Sequence, residues 1–148
     1  MTYPDVQVSA ILNQAFVPVQ VDIDKAGELR QRYHVMWTPN LHVLDRSGAT
    51  VRQLEGYLPP GELVPELILG VGRFDLREEH WDDAARRFDE VADRYPTSHG
   101  APEGLYFAAV ASYKGSHEVK RLIDGWQVLK ARYPESIWSV RTYLKLPE

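Results

Sequence analysis

The chain has 148 residues, 44% hydrophobic, 26% charged and 11% aromatic, enough to bury the core of one ordinary domain or two very small ones and too apolar for disorder. Its 17 Lys and Arg against 21 Asp and Glu give a net charge of −4, with the basic residues spread among acids, so no nucleic-acid partner is expected. There is no cysteine, which removes disulfides, zinc–thiolate sites and thiol nucleophiles together. No apolar run approaches the ~18 residues that span a bilayer, and residues 1–7 lack the basic-then-apolar order of a secretory signal. No membrane partner is expected, and the cytoplasm is the expected compartment.

In chain order, Val8, Ile11, Leu12 and Ala15 recur at helical spacing. The β-branched run Phe16-Val17-Pro18-Val19-Gln20-Val21-Asp22 predicts a buried strand, with Pro18 near its start because it donates no hydrogen bond. Asp24 is the expected N-cap of a helix carrying Ala26, Leu29 and Tyr33. Residues 41–45 and 51–55 read as two strands of an antiparallel hairpin, joined by the turn chemistry of Asp45-Arg46-Ser47-Gly48. Pro60 suits the first turn of a helix with Leu63, Val64, Leu67, Ile68 and Val71 on one face.

From about Phe74 onward the pattern is all helical. Trp81, Ala84, Ala85, Phe88, Val91, Ala92 and Tyr95 form one stripe, closed by Pro96. A second helix opens after Ala101-Pro102 with Leu105, Tyr106, Ala109, Val110 and Tyr113 inward. A third follows Gly115-Ser116 with Val119, Leu122, Ile123, Trp126, Leu129 and Tyr133 inward. A last short helix carries Ile137, Val140, Tyr143 and Leu144. Arg94-Tyr95-Pro96-Thr97-Ser98 matches Arg132-Tyr133-Pro134-Glu135-Ser136 at an offset of 133 − 95 = 38, and Phe88, Val91 and Ala85 fall on Trp126, Leu129 and Ile123 at the same step. Repeated helical hairpins mark a stacked, solenoid-like unit. This half resembles tetratricopeptide-type repeats, whose usual period is about 34 residues.

Three pieces of the first half, read in order, resemble the thioredoxin-like superfamily. They are residues 16–24 with Glu28-Leu29 and Tyr33-His34-Val35, then Val35-Met36-Trp37-Thr38-Pro39-Asn40-Leu41, then Leu44-Asp45-Arg46-Ser47-Gly48 with Gly56-Tyr57. The whole resembles bacterial thioredoxin-fold proteins whose helical tails carry Tyr-Pro-x-Ser and Ala-Pro-Glu-x-Leu-Tyr, here residues 95–98 and 101–106. The resemblance implies an α/β fold: an incomplete thioredoxin-like sheet with flanking helices over residues 1–72, then an all-α tetratricopeptide-like tail over 73–148. In the family a strand and a Cys-x-x-Cys turn precede the position of Thr2-Tyr3-Pro4, and the chemistry needs a thiolate at a helix N-terminus. The absent strand would lie between those matching residues 16–22 and 41–45. Its absence predicts unpaired strand edges: the two strands pair directly, another chain fills the gap and so drives oligomerisation, or the sequence is a truncated form, which is the favoured expectation.

The resemblance implies a relative of the thiol–disulfide oxidoreductases of cell redox homeostasis, here non-catalytic and without a cofactor, whose partner is a protein or peptide. A protein-interaction or scaffold module working through the helical tail is the alternative. The candidate site is Trp37, Thr38 and Pro39. The resemblance implies a cis peptide at Thr38-Pro39 and a residue before it that offers its backbone to an extended peptide; a plain loop proline is the other reading. Trp37 is either an exposed contact or half-buried packing. His34, His42, His80, His99 and His117 include no pair at i, i+4, so no metal site is expected. Glu78, Glu79, His80, Asp82 and Asp83 read as a solvated helix start. Trp81, Trp126, Tyr95, Tyr113 and Tyr133 read as core of the helical pairs, with an aromatic groove as the rival.

Overall fold

The computed structural model describes residues 5–142. The protein is a mixture of helices and one small antiparallel sheet, and divides into two compact units, Met1–Pro60 and Gly61–Glu148. The boundary expected at residues 72/73 falls inside a continuous helix, Pro60–Arg77.

In the first unit, α1 (Val6–Ala15) starts where Asp5 accepts hydrogen bonds from the N–H groups of Gln7 and Val8. Such a cap satisfies donors that the first helical turn leaves orphaned. The strand expected at residues 16–22 does not form. The chain leaves α1 at Phe16 in extended backbone, φ −132° and ψ 163°, and residues 17–22 are exposed and carry no secondary structure. A strand exists only where a ladder satisfies its backbone, and β propensity alone supplies no neighbour.

The helix after it, α2 (Gly27–Arg32), is not capped by Asp24; Ala26 stands at its N-cap. Asp22 accepts from the N–H of Asp24 and pairs with Lys25, closing a local turn ahead of the helix. The hairpin is present as β1 (Asn40–Leu44) and β2 (Thr50–Glu55). Its turn is held by Asp45, whose Oδ1 accepts from the N–H of Ser47 and Ala49, with Gly48 at φ +82°. Because the only ladder among the described residues is antiparallel, a wider sheet of the expected kind is absent there.

The second unit stacks α3 (Pro60–Arg77), α4 (Trp81–Arg94), α5 (Ala101–Ser116), α6 (Val119–Arg132) and α7 (Ile137–Val140). The repeat seen in the sequence is a repeat in space. Helices α4 and α6 are equally long and begin 119 − 81 = 38 residues apart. The corner before each holds a left-handed residue, Glu79 at φ +61° and His117 at φ +59°, also 38 apart. The corners after them match in detail: Tyr95 and Tyr133 donate backbone N–H bonds to Val91 and Leu129 at 2.9 and 2.8 Å.

Close approach between helices is set by small residues. A Cβ on Gly104 of α5 would lie 2.6 Å from the Phe88 carbonyl oxygen of α4, and one on Gly125 of α6 would lie 2.6 Å from the Ala109 Cβ of α5. Phe88, fully buried, fills the space above Gly72 of α3. Helix α3 is further tied to α5 by Arg73, whose guanidinium bonds the buried Glu103 at 2.9 Å and lies 3.6 Å from the Phe107 ring centre.

One inward assignment is corrected. Val119 opens α6 and stays exposed. Ile137 and Val140 face solvent, because the Ser139 hydroxyl donates to the Tyr133 carbonyl at 2.7 Å and so fixes the phase of the single turn of α7, with Trp138 and Ser139 inward. Tyr143 and Leu144 lie outside the described residues.

The second Arg-Tyr-Pro has a role that the first lacks. Arg132 donates to the Ala92 carbonyl at 2.9 Å, and the Tyr133 hydroxyl donates to the Pro96 carbonyl at 2.6 Å, so the second corner bonds the first. Arg94, the earlier counterpart, pairs within its own helix with Glu90. Tyr133→Phe is therefore expected to lower stability by about 0.5–1 kcal/mol, and Tyr95→Phe to leave it unchanged, as read by urea denaturation. Gly104→Ala forces a Cβ against backbone that cannot yield and is expected to cost roughly 1–3 kcal/mol in the same measurement.

Candidate functional site

The candidate site lies where α2 gives way to β1. Tyr33 ends α2 and donates its hydroxyl to the Gly48 carbonyl at 3.0 Å, pinning the helix to the hairpin turn. Its ring lies 5.2 Å from that of His42 on β1. The chain then crosses Val35 and Met36 to Trp37, Thr38 and Pro39. The Thr38-Pro39 peptide bond is cis. The Pro39 carbonyl accepts from the Gly56 N–H at 2.8 Å, which anchors this loop to the far end of β2.

All three sequence-selected residues are exposed, Trp37 to 69%. The Trp37 carbonyl accepts from the Asn40 side chain at 3.4 Å. Among the described residues, neither the N–H nor the C=O of Thr38 has a hydrogen-bond partner. Met36 is exposed beside Trp37, and Tyr57, next to the Gly56 that anchors Pro39, is exposed as well. Met36 and Tyr57 were not picked out as site residues from the sequence. The signal for Tyr57 was its place directly after a glycine that closes the hairpin, here at φ +92°.

Beyond the loop, β1 presents a second unsatisfied surface. The Pro39 carbonyl and the Asp45 N–H both bond toward the β2 side, the latter to Ala49 at 2.9 Å. In an antiparallel ladder the direction alternates, so residues 39, 41, 43 and 45 face β2, while Asn40, His42 and Leu44 aim their N–H and C=O groups at the opposite edge. No described residue bonds that edge.

His42 is half-buried on the sheet face. Its Nδ1 lies 3.3 Å from the Thr50 hydroxyl, and its Nε2 is buried with no hydrogen-bond partner among the described residues. Burial holds its imidazole below the ordinary value of 6.5, because loss of water penalises the charged ring.

The other singled-out groups are structural. His99 pairs with Glu62 at 3.2 Å, and His80 lies 3.8 Å from Asp75, whose carboxyl burial pushes upward while the Arg87 charge pulls it back. Asp83 pairs with Arg86 on the exposed side of α4. Among the described residues no three His, Asp or Glu are placed to share a metal ion, and no helix is long and apolar enough to cross a membrane. Trp126 stacks on Tyr106 at 5.0 Å and donates to its carbonyl, and with Tyr133 and Trp138 it packs against Ala92, Leu105 and Leu129. These aromatics are committed to the packing of the helical unit.

Compared with known proteins, the chain matches no family model, no curated protein and no solved structure.

The depressed His42 carries a pH dependence. Above about 6.5 the imidazole is neutral in folded and unfolded chains alike. As pH falls below that value the unfolded chain takes the proton first, so stability is lost on acidification. A proton-NMR titration is expected to place His42 below 6.5, and His42→Gln is expected to shrink the loss of thermal stability between about pH 7 and 5.

Proposed function

We propose that this chain is a non-catalytic protein-binding module related to the thioredoxin-like proteins, holding an extended polypeptide at the loop of Trp37, Thr38 and Pro39. One observation carries the reading: Thr38 is exposed and its backbone has no partner among the described residues, while its neighbours on both sides are anchored, Trp37 through Asn40 and Pro39 through Gly56. A fixed backbone with a free donor and acceptor is what an extended peptide needs to add itself as a strand. Trp37 and Tyr57 supply aromatic surface at low entropic cost, as in many binding hot spots, and Met36 adds adaptable apolar surface. The resemblance in residue order supports the family. The lack of any thiol in the chain supports binding in place of exchange chemistry.

The tetratricopeptide-like helical unit is the second reading, favoured by its 38-residue stacking of helical hairpins. The first ranks higher because the aromatics of the helical unit are used up in its own packing.

The test is calorimetric titration with a reduced, alkylated, unfolded polypeptide. Binding is expected, with Trp37→Ala weakening it roughly tenfold and Thr38→Trp abolishing it, both variants melting like the parent. Binding unchanged in both would remove the loop from the function. Insulin reduction is expected at background.

A further inference from the structure

Residues 16–22 and the outer edge of β1 are two unfinished halves of a sheet. The first is a β-forming run left bare: Val17 is 90% and Val19 77% exposed, and Val21 is exposed too. Among the described residues no backbone group of Val17, Val19 or Val21 is hydrogen-bonded. The second is the edge on which Asn40, His42 and Leu44 aim free N–H and C=O groups. Each half therefore offers three residues at a spacing of two. Proline sets which side of the run is used. Pro18 has no N–H, so the edge holding Pro18 and Gln20 is the poor one, and the edge holding Val17, Val19 and Val21 is complete. Three full donor–acceptor pairs thus meet three. Within one chain the match is not made, since β1 has β2 as its only sheet neighbour among the described residues.

We propose that the occupant of the β1 edge is a second copy of this chain: the 16–22 run of one copy pairs with Asn40, His42 and Leu44 of the other, and reciprocally. A reciprocal exchange uses the same patch on both copies, closes with two-fold symmetry and leaves no edge to propagate. It brings the side chains of Val17, Val19 and Val21 onto one face, where the exposed Leu44 edge offers apolar surface. The pairing engages Asn40, His42 and Leu44 and stops short of Thr38, the next position along the same edge, so the two readings are told apart by their variants.

Paired proline variants test it. Val19→Pro removes a donor from the edge that pairs. Gln20→Pro removes one from the edge that faces away. Both positions lie in exposed chain without secondary structure, so both variants are expected to fold, which melting curves verify. By sedimentation velocity the parent is expected to be a dimer. Val19→Pro should weaken the dimer roughly tenfold for each of the two lost bonds, about a hundredfold in all, and Gln20→Pro should leave it intact. Hydrogen exchange gives a readout without substitution: the amides of Val17, Val19, Val21, Asn40, His42 and Leu44 should slow as concentration rises, and that of Gln20 should not. A parent that stays monomeric at every concentration overturns the proposal. So does a dimer that both prolines affect alike, or a monomer whose β1 edge takes up an added synthetic strand of alternating valines. Trp37→Ala should leave the dimer unchanged, and Val19→Pro should leave peptide binding unchanged, so the two readings fail separately.

Discussion

A backbone N–H or C=O must find a partner, in the chain or in water. That requirement separates the two halves of this protein. The helical unit meets it internally, helix by helix, and spends its side chains on close contact between neighbours. The first unit meets it only in part. Its hairpin satisfies one side of β1, and a valine-rich run with strand chemistry stays single. Among the described residues, Thr38 in the loop and Asn40, His42 and Leu44 along the edge keep main-chain groups without a partner.

The helical unit has its own logic, built from volume. Gly72, Gly104 and Gly125 stand where a neighbouring helix comes close enough to leave no room for a Cβ. Large aromatics fill the opposite positions. Phe88 sits over Gly72, and Trp126 stacks on Tyr106. The buried Glu103 is compatible with this core because Arg73 reaches it from α3 while lying across Phe107. The resulting spine connects α3, α5 and α7 through Arg73, Phe107, Trp138 and Arg141 by successive ring contacts.

How much of this was readable in the residues follows from which forces are local. The hairpin turn was legible because Asp45 and Gly48 act within four residues. The 38-residue period was legible because the same Arg-Tyr-Pro triplet closes both α4 and α6. The strand at residues 16–22 was misread, since a β-branched run reports that a strand is affordable and says nothing of whether a neighbour exists. The cap at Asp24 was misread because α2 starts two residues later than expected, with Ala26 at its N-cap. The phase of α7 hangs on the Ser139 hydroxyl, a single contact with no periodicity to announce it. Of the candidate site, Trp37, Thr38 and Pro39 were named from residue order alone. Met36 and Tyr57 emerged only when burial was known, because an exposed apolar residue looks in sequence like a buried one.

The bonds from Arg132 and Tyr133 to Ala92 and Pro96 run one way along the stack. Donors sit on the later hairpin and acceptors on the earlier. The array thus has a direction: each link between its corners has its proton on the later one.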